Sequence, residues 1–247
     1  MQTERTTVQR LGERGVYERD VIYTILDEGL VCHVGFVADG QPFVIPMSYA
    51  RVGDRLVLHG STRSRLMQAV ETGAPVCVTV TLLDGVVLAR SLFDHSMNYR
   101  AVVVLGRASP ITDPERKREA LIALTEHLVP GRAADARGPS DPELKATTVL
   151  ELPLEEASAK VRSGPPGESK KDTDPSVWAG VIPLRVCADE PITDDLTAEG
   201  KAPPLYARQY AAVREQAARE RAVREADPTV GRTLDRAVDP GQDTVGR

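Results

Sequence analysis

The chain has little of what usually announces a function. It holds three cysteines, Cys32, Cys77 and Cys187, odd in number, widely spaced and without a CxxC pair, so neither a disulfide framework nor a structural zinc site is expected. Cys32 and Cys77 fall inside apolar runs and read as small core residues. No window approaches the roughly 18 apolar residues that span a bilayer. The N-terminus is polar, with no hydrophobic signal core, and a cytoplasmic location is the expectation. The two signs of charge nearly balance: a net charge of -5 gives no diffuse attraction to nucleic acid or anionic membrane, so any basic site must be local. A GxGxxG after a strand, a Walker sequence, HExxH and GxSxG are all missing, which removes the anchors of dinucleotide-Rossmann, P-loop, zincin and hydrolase-elbow chemistry.

What is present is strand after strand. With 247 residues, 41% of them hydrophobic, the chain can build one large or two small domains around a real core. Residues 1–16 are polar and read as an extended arm. Tyr17 to Glu28 carries Val21, Ile22, Ile25 and Leu26 at helical spacing and stops at Gly29. Six strands are then expected: Leu30 to Ala38, Phe43 to Arg51, Arg55 to Gly60, Val76 to Leu83, Val86 to Arg90 and Tyr99 to Gly106. Asp39-Gly40, Gly53-Asp54 and Asp84-Gly85 stand where hairpins need positive φ. A second helix, Asp113 to Leu128, follows, then a linker from Gly131 to Pro142, strand-like residues Thr147 to Leu154 and Ala157 to Arg162, and an exposed loop from Gly164 to Ser176. Regular strand-helix alternation is missing, so the expectation is an α+β fold: a six-stranded antiparallel split barrel of Greek-key type with flanking helices. It spans residues 17–190. Residues 191–247 form a charged tail, helical from Pro203 to Ala226 and disordered beyond.

One corner stands out. In Arg55 to Val70 a short apolar strand runs through His59, Gly60, Ser61, Thr62, Arg63, Ser64 and Arg65 into a helix whose apolar face is Leu66, Met67 and Val70. Hydroxyls and two permanent cations can converge there on a dianion. The other reading is an ordinary Ser-capped helix with solvated arginines. The four histidines are dispersed. His33 reads as a satisfied barrel residue and His127 as a cation at a helix C-terminus. His95, in Asp94-His95-Ser96, makes a poor Ser-His-Asp reading, since consecutive residues rarely point their side chains at one another in triad geometry. His59 ends the strand that feeds the corner, and both a functional and a structural role stay open.

The order of Pro46-Met47-Ser48-Tyr49, His59-Gly60-Ser61 with Ser64-Arg65, and Ser96-Met97-Asn98-Tyr99-Arg100 before Val102 to Gly106 resembles the FMN-binding split-barrel proteins. Within these the likeness is to the pyridoxamine 5'-phosphate oxidase-like, nitroimidazole-resistance-type branch, over roughly residues 14–185. The resemblance implies FMN in a groove between two copies of a homodimer. Arg65 and Ser64 would grip its phosphate beside Ser61 and Gly60, with Arg100 as a second cation. Pro46, Met47, Ser48 and Tyr49 would lie along the ring, Tyr99 and His59 would complete the wall, and Trp178 would cover the flavin from the partner subunit. An FMN-dependent oxidoreductase acting on a small organic acceptor is the leading implication. A flavin carrier or sensor is the competing one, and a barrel using deazaflavin or heme the third. Ala101 stands where related sequences often carry a hydroxyl, and the C-terminal Arg-Leu-His pattern of a vitamin B6 oxidase is missing.

Overall fold

The computed structural model describes residues 1–167 and 174–216, and its main elements are strands and α-helices. The elements are β1 (Gly15–Val16), α1 (Arg19–Glu28), β2 (Val31–Ala38), β3 (Gln41–Val52), β4 (Arg55–Ser61), α2 (Arg65–Glu71), β5 (Val76–Leu88), β6 (Ser96–Gly106), β7 (Ser109–Pro110), α3 (Pro114–Leu128), α4 (Asp141–Ala146), β8 (Thr147–Pro153), β9 (Glu156–Arg162), β10 (Gly180–Pro183) and α5 (Leu205–Arg208). All strand pairs are antiparallel, in the order β1-β9-β6-β5-β2-β3-β4-β8-β7, with β10 added to β5. The architecture is α+β as expected. The expected six-stranded barrel is corrected in two respects: the described strands number ten, and the sheet ends on β1 and β7 instead of closing.

Turn chemistry explains where the sequence reads correctly. Asp39 and Gly40, at φ 51 and 74, form the two-residue loop between β2 and β3, a pairing that suits the twist of a hairpin. Asp84-Gly85 is different. No hairpin forms there, and β5 runs through it as one strand, with a register shift between Leu83 and Gly85 that leaves Asp84 as the extra residue of a bulge. The glycine is needed for approach, since a Cβ on Gly85 would lie 3.0 Å from the Ile182 carbonyl oxygen of β10.

The sheet buries a cluster on each face. One holds Ile22, Ile25 and Leu26 of α1, Leu66, Met67 and Val70 of α2, and the inward residues of β2, β5, β6 and β8. The smaller packs Ala120 and Leu124 of α3 on Ala50, Val57 and Val149. Cys32 belongs to the first, and burial pushes its thiol up to about 12, so it stays neutral. His33 departs from expectation: it is exposed, on the opposite side of β2 from buried Cys32 and Val34. The expected linker runs into α4, opened by a capping box between Ser140 and Glu143. At the C-terminal end Tyr210 donates to the Leu128 carbonyl at 2.7 Å, and Arg214 donates to the carbonyls of His127 (2.7 Å) and Glu28 (3.1 Å). The tail residues described therefore dock on their own chain. The part of the expected Pro203 to Ala226 helix beyond residue 216, the expected disordered end after it, and residues 168–173 of the expected loop lie outside the described residues. Among the described residues no helix is long and apolar enough to cross a membrane.

Candidate functional site

The corner between β4 and α2 holds a cleft. Ser64 caps α2, its Oγ accepting from the Met67 amide at 3.2 Å, and the Ser61 Oγ accepts from the Arg63 amide at 3.3 Å. Met67 lies flat on the strand: a Cβ on Gly60 would sit 2.7 Å from the Met67 methyl carbon. Gly60 is thus a packing requirement of Met67. Between α2 and β3 opens a cavity of about 290 Å³ lined by Phe36, Phe43, Ile45, Met47, Gly60, Ser64, Arg65, Leu66 and Met67. Its walls are apolar and its mouth is cationic. The exposed Arg65 guanidinium rests over the Phe43 ring, 4.4 Å from the centroid, and Phe43 stacks on Phe36 at 5.5 Å. Among the described residues no carboxylate pairs with Arg65. Both readings of the corner are therefore present together: a Ser-capped helix, and an uncompensated cation beside a cleft.

The structure gathers four of the residues named from sequence, Met47, Gly60, Ser64 and Arg65, around this cleft, with Ser61 at its edge, and sets the others elsewhere. Pro46 is exposed and Ser48 half-buried, both on the face of β3 opposite Met47. Tyr49 is fully buried, donates to the Leu26 carbonyl and tilts against His127 at 5.1 Å. It serves the core. Tyr99 is half-buried on β6. Arg100 is clasped by its own carboxylates, with 2.8 Å bonds to Glu28 and Asp84 and further bonds to each, and these contacts hold its pKa above the usual arginine value. The bulge at Asp84 makes that clasp, which a hairpin reading conceals. Trp178 is 63% exposed, its ring lying over the Gly180 backbone. Sequence reasoning missed Phe36, Phe43, Ile45 and Met67. The signal for two of them was there: Phe43, Ile45 and Met47 alternate along β3 and share one face.

His59 points away from the cleft. It pairs with Val149 across β4 and β8 and shares the face of Val57, the α3 side of the sheet. Burial pulls its pKa below 6.5, and its Nδ1 has no hydrogen-bond partner among the described residues. A base whose folded pKa is lowered binds fewer protons folded than unfolded, so stability is complete at neutral pH and is lost as pH falls through 6.5 toward the lowered value. We expect His59→Leu to flatten that acid-side loss, as judged from melting temperatures on either side of pH 6.5. An unchanged slope would assign the acid sensitivity to other groups.

Comparison with known proteins identifies the fold family. The family model described as pyridoxamine 5'-phosphate oxidase matches residues 18–161, more than half of the chain. Among solved structures, flavocytochrome Anf3 from Azotobacter vinelandii is 39% identical with a TM-score of 0.78, the match covering 83% of this chain and 95% of that one. The FAD and heme binding protein from Mycobacterium smegmatis is 38% identical with a TM-score of 0.76, covering 79% of this chain and 96% of that one. A structure described as a 5-nitroimidazole antibiotic resistance protein from Bacteroides thetaiotaomicron is 26% identical with a TM-score of 0.51, covering 60% of this chain and 86% of that one. No curated protein matches. With the family model spanning most of the sheet, and two relatives aligned over nearly their whole length, the chain belongs to the pyridoxamine 5'-phosphate oxidase-like family.

Proposed function

We propose that the protein is a flavin-binding redox protein with heme as its second redox group, passing electrons through the flavin to heme or to a small organic acceptor. The observation that carries the flavin half is the Arg65 guanidinium, without a carboxylate partner among the described residues and stacked on Phe43 at the mouth of an apolar cleft. A guanidinium so placed can bind a phosphate oxygen pair in a fork, and Phe43, Met47 and Met67 can cover a planar ring and exclude water from it. Bound flavin would supply hydride or one-electron chemistry at N5. The sequence resemblance points to FMN, whereas the relative that is 38% identical is described as binding FAD and heme; we take FAD as the cofactor. A cavity of about 290 Å³ is at the small end for ligand sites, which supports a second copy of the chain closing over the exposed part of the flavin. For heme an imidazole would be the protein donor. His127 is buried and donates through Nε2 to the Gly29 carbonyl at 2.7 Å, but His95 is exposed.

The absorption spectrum of the purified protein, with acid extraction of its cofactor and addition of NAD(P)H, tests the reading. Flavin bands, extracted FAD, a Soret band and bleaching followed by reoxidation are the expected results. Extracted FMN without a Soret band would restore the FMN oxidoreductase. Flavin that never turns over would make the protein a carrier, and the absence of both chromophores after reconstitution would overturn the proposal.

A further inference from the structure

We propose that His95 is an axial ligand of heme iron, presented on an apolar shelf at the end of β5; the inference rests on the heme half of the function proposed above. β6 begins at Ser96, opposite Val87, and β10 begins at Gly180, opposite Leu88. The loops preceding them, residues 89–95 and 174–179, therefore meet at one end of β5. Arg90 ties them together, its Nε donating to the Asp174 carbonyl at 2.9 Å.

The shelf is apolar and faces water. A turn of 3-10 helix, Leu92–Asp94, is held by Ser91, whose side chain accepts from the Phe93 amide at 3.2 Å. That turn leaves Leu92 89% and Phe93 93% exposed, with Trp178 and Met97 also more than half exposed on the neighbouring elements. Folding gains nothing from ordering large apolar side chains outward, and such a patch marks a surface that something covers. Within it His95 is oriented. Its Nδ1 lies 2.9 Å from the Ser91 carbonyl, and because a carbonyl can only accept, Nδ1 carries the proton and Nε2 keeps its lone pair free. Metal-ligating histidines are held in this way, one ring nitrogen tied to a carbonyl and the other turned to the metal. Leu92, Phe93 and Met97 stand within three residues of His95 in the chain, and these exposed side chains would cover a planar apolar macrocycle while the imidazole held its metal. The other histidines fit less well: His127 is committed to Gly29 in the core, His59 lies on the α3 side of the sheet, and among the described residues no hydrogen bond fixes the ring of exposed His33.

Trp178 is the only tryptophan and so reports on the shelf directly. The full-length protein would be titrated with hemin, following the Soret band and tryptophan emission, alongside His95→Ala and His33→Ala. Wild-type protein is expected to bind hemin with quenching of Trp178. His95→Ala is expected to weaken binding by about tenfold or more and to change the ligand-field bands, with added imidazole restoring them, while His33→Ala behaves as wild type. Hemin binding that is unchanged in His95→Ala, that depends on His33 instead, or that leaves Trp178 emission intact would overturn the assignment while the heme reading stands. Failure of the wild-type protein to bind hemin at all would overturn both.

Discussion

Replacing Arg65 with alanine is expected to weaken flavin binding by about 1.5–3 kcal/mol, one to two orders of magnitude in Kd, if its guanidinium makes a charge-assisted bond to phosphate. The substitution is clean because the side chain is exposed and its described contact is the face of Phe43, an exposed cation–π contact of roughly 0.5–1 kcal/mol. The melting temperature of the apoprotein should barely move. Arg65→Lys keeps the charge and loses the fork, so it should fall between the two. Flavin fluorescence titration of the three proteins measures all of this. Affinity unchanged in the alanine variant would take the phosphate away from this corner.

The largest effect on stability is expected from Asp27→Ala, about 3–5 kcal/mol. Arg51 reaches from β3 to the end of α1, donating to the Asp27 carboxylate at 2.9 and 2.6 Å and to the Gly53 carbonyl at 2.7 Å, with its guanidinium 4.1 Å from the centroid of the Tyr23 ring. Its side chain is 1% exposed and that of Asp27 is 10% exposed. An arginine cannot shed its proton to escape burial, so losing the carboxylate strips two charge-assisted hydrogen bonds from a cation held in the interior. Urea denaturation gives the cost. The pair Asp27→Leu with Arg51→Met removes both charges and should recover much of it. If the single variant costs less than about 1 kcal/mol, as a surface pair would, water reaches the guanidinium and the pair is not a buried one.

Legibility in the sequence followed the range of the interaction. The helices α1 and α3 and strands β2, β3 and β4 could be read because spacing, caps and the Asp39-Gly40 turn act over a few residues. The bulge at Asp84 could not, because Asp-Gly reads as a turn until β10 is known to pass beside Gly85. Arg100 misled for the same reason: its partners, Glu28 and Asp84, are set by the fold. At the site, Arg65 and Ser64 were legible as a polar corner, and Phe43 and Ile45 were legible as alternation along β3. The approach of Met67 to Gly60 was not, since only the packing of α2 creates it.

The last turn of α1 gathers three guanidiniums. The Asp27 carboxylate takes Arg51 of β3, the Glu28 carboxylate takes Arg100 of β6, and the Asp27 and Glu28 carbonyls take Arg214. A helix C-terminus carries partial negative charge of its own, and here two acidic side chains add to it. Two adjacent residues thus act as a rivet through strands far apart in the sheet and the C-terminal segment. Trimming the chain before residue 205 would strip one of those cations from the rivet and bare the helix-end carbonyls of both α1 and α3, so even a cut well away from the cleft would loosen its scaffold.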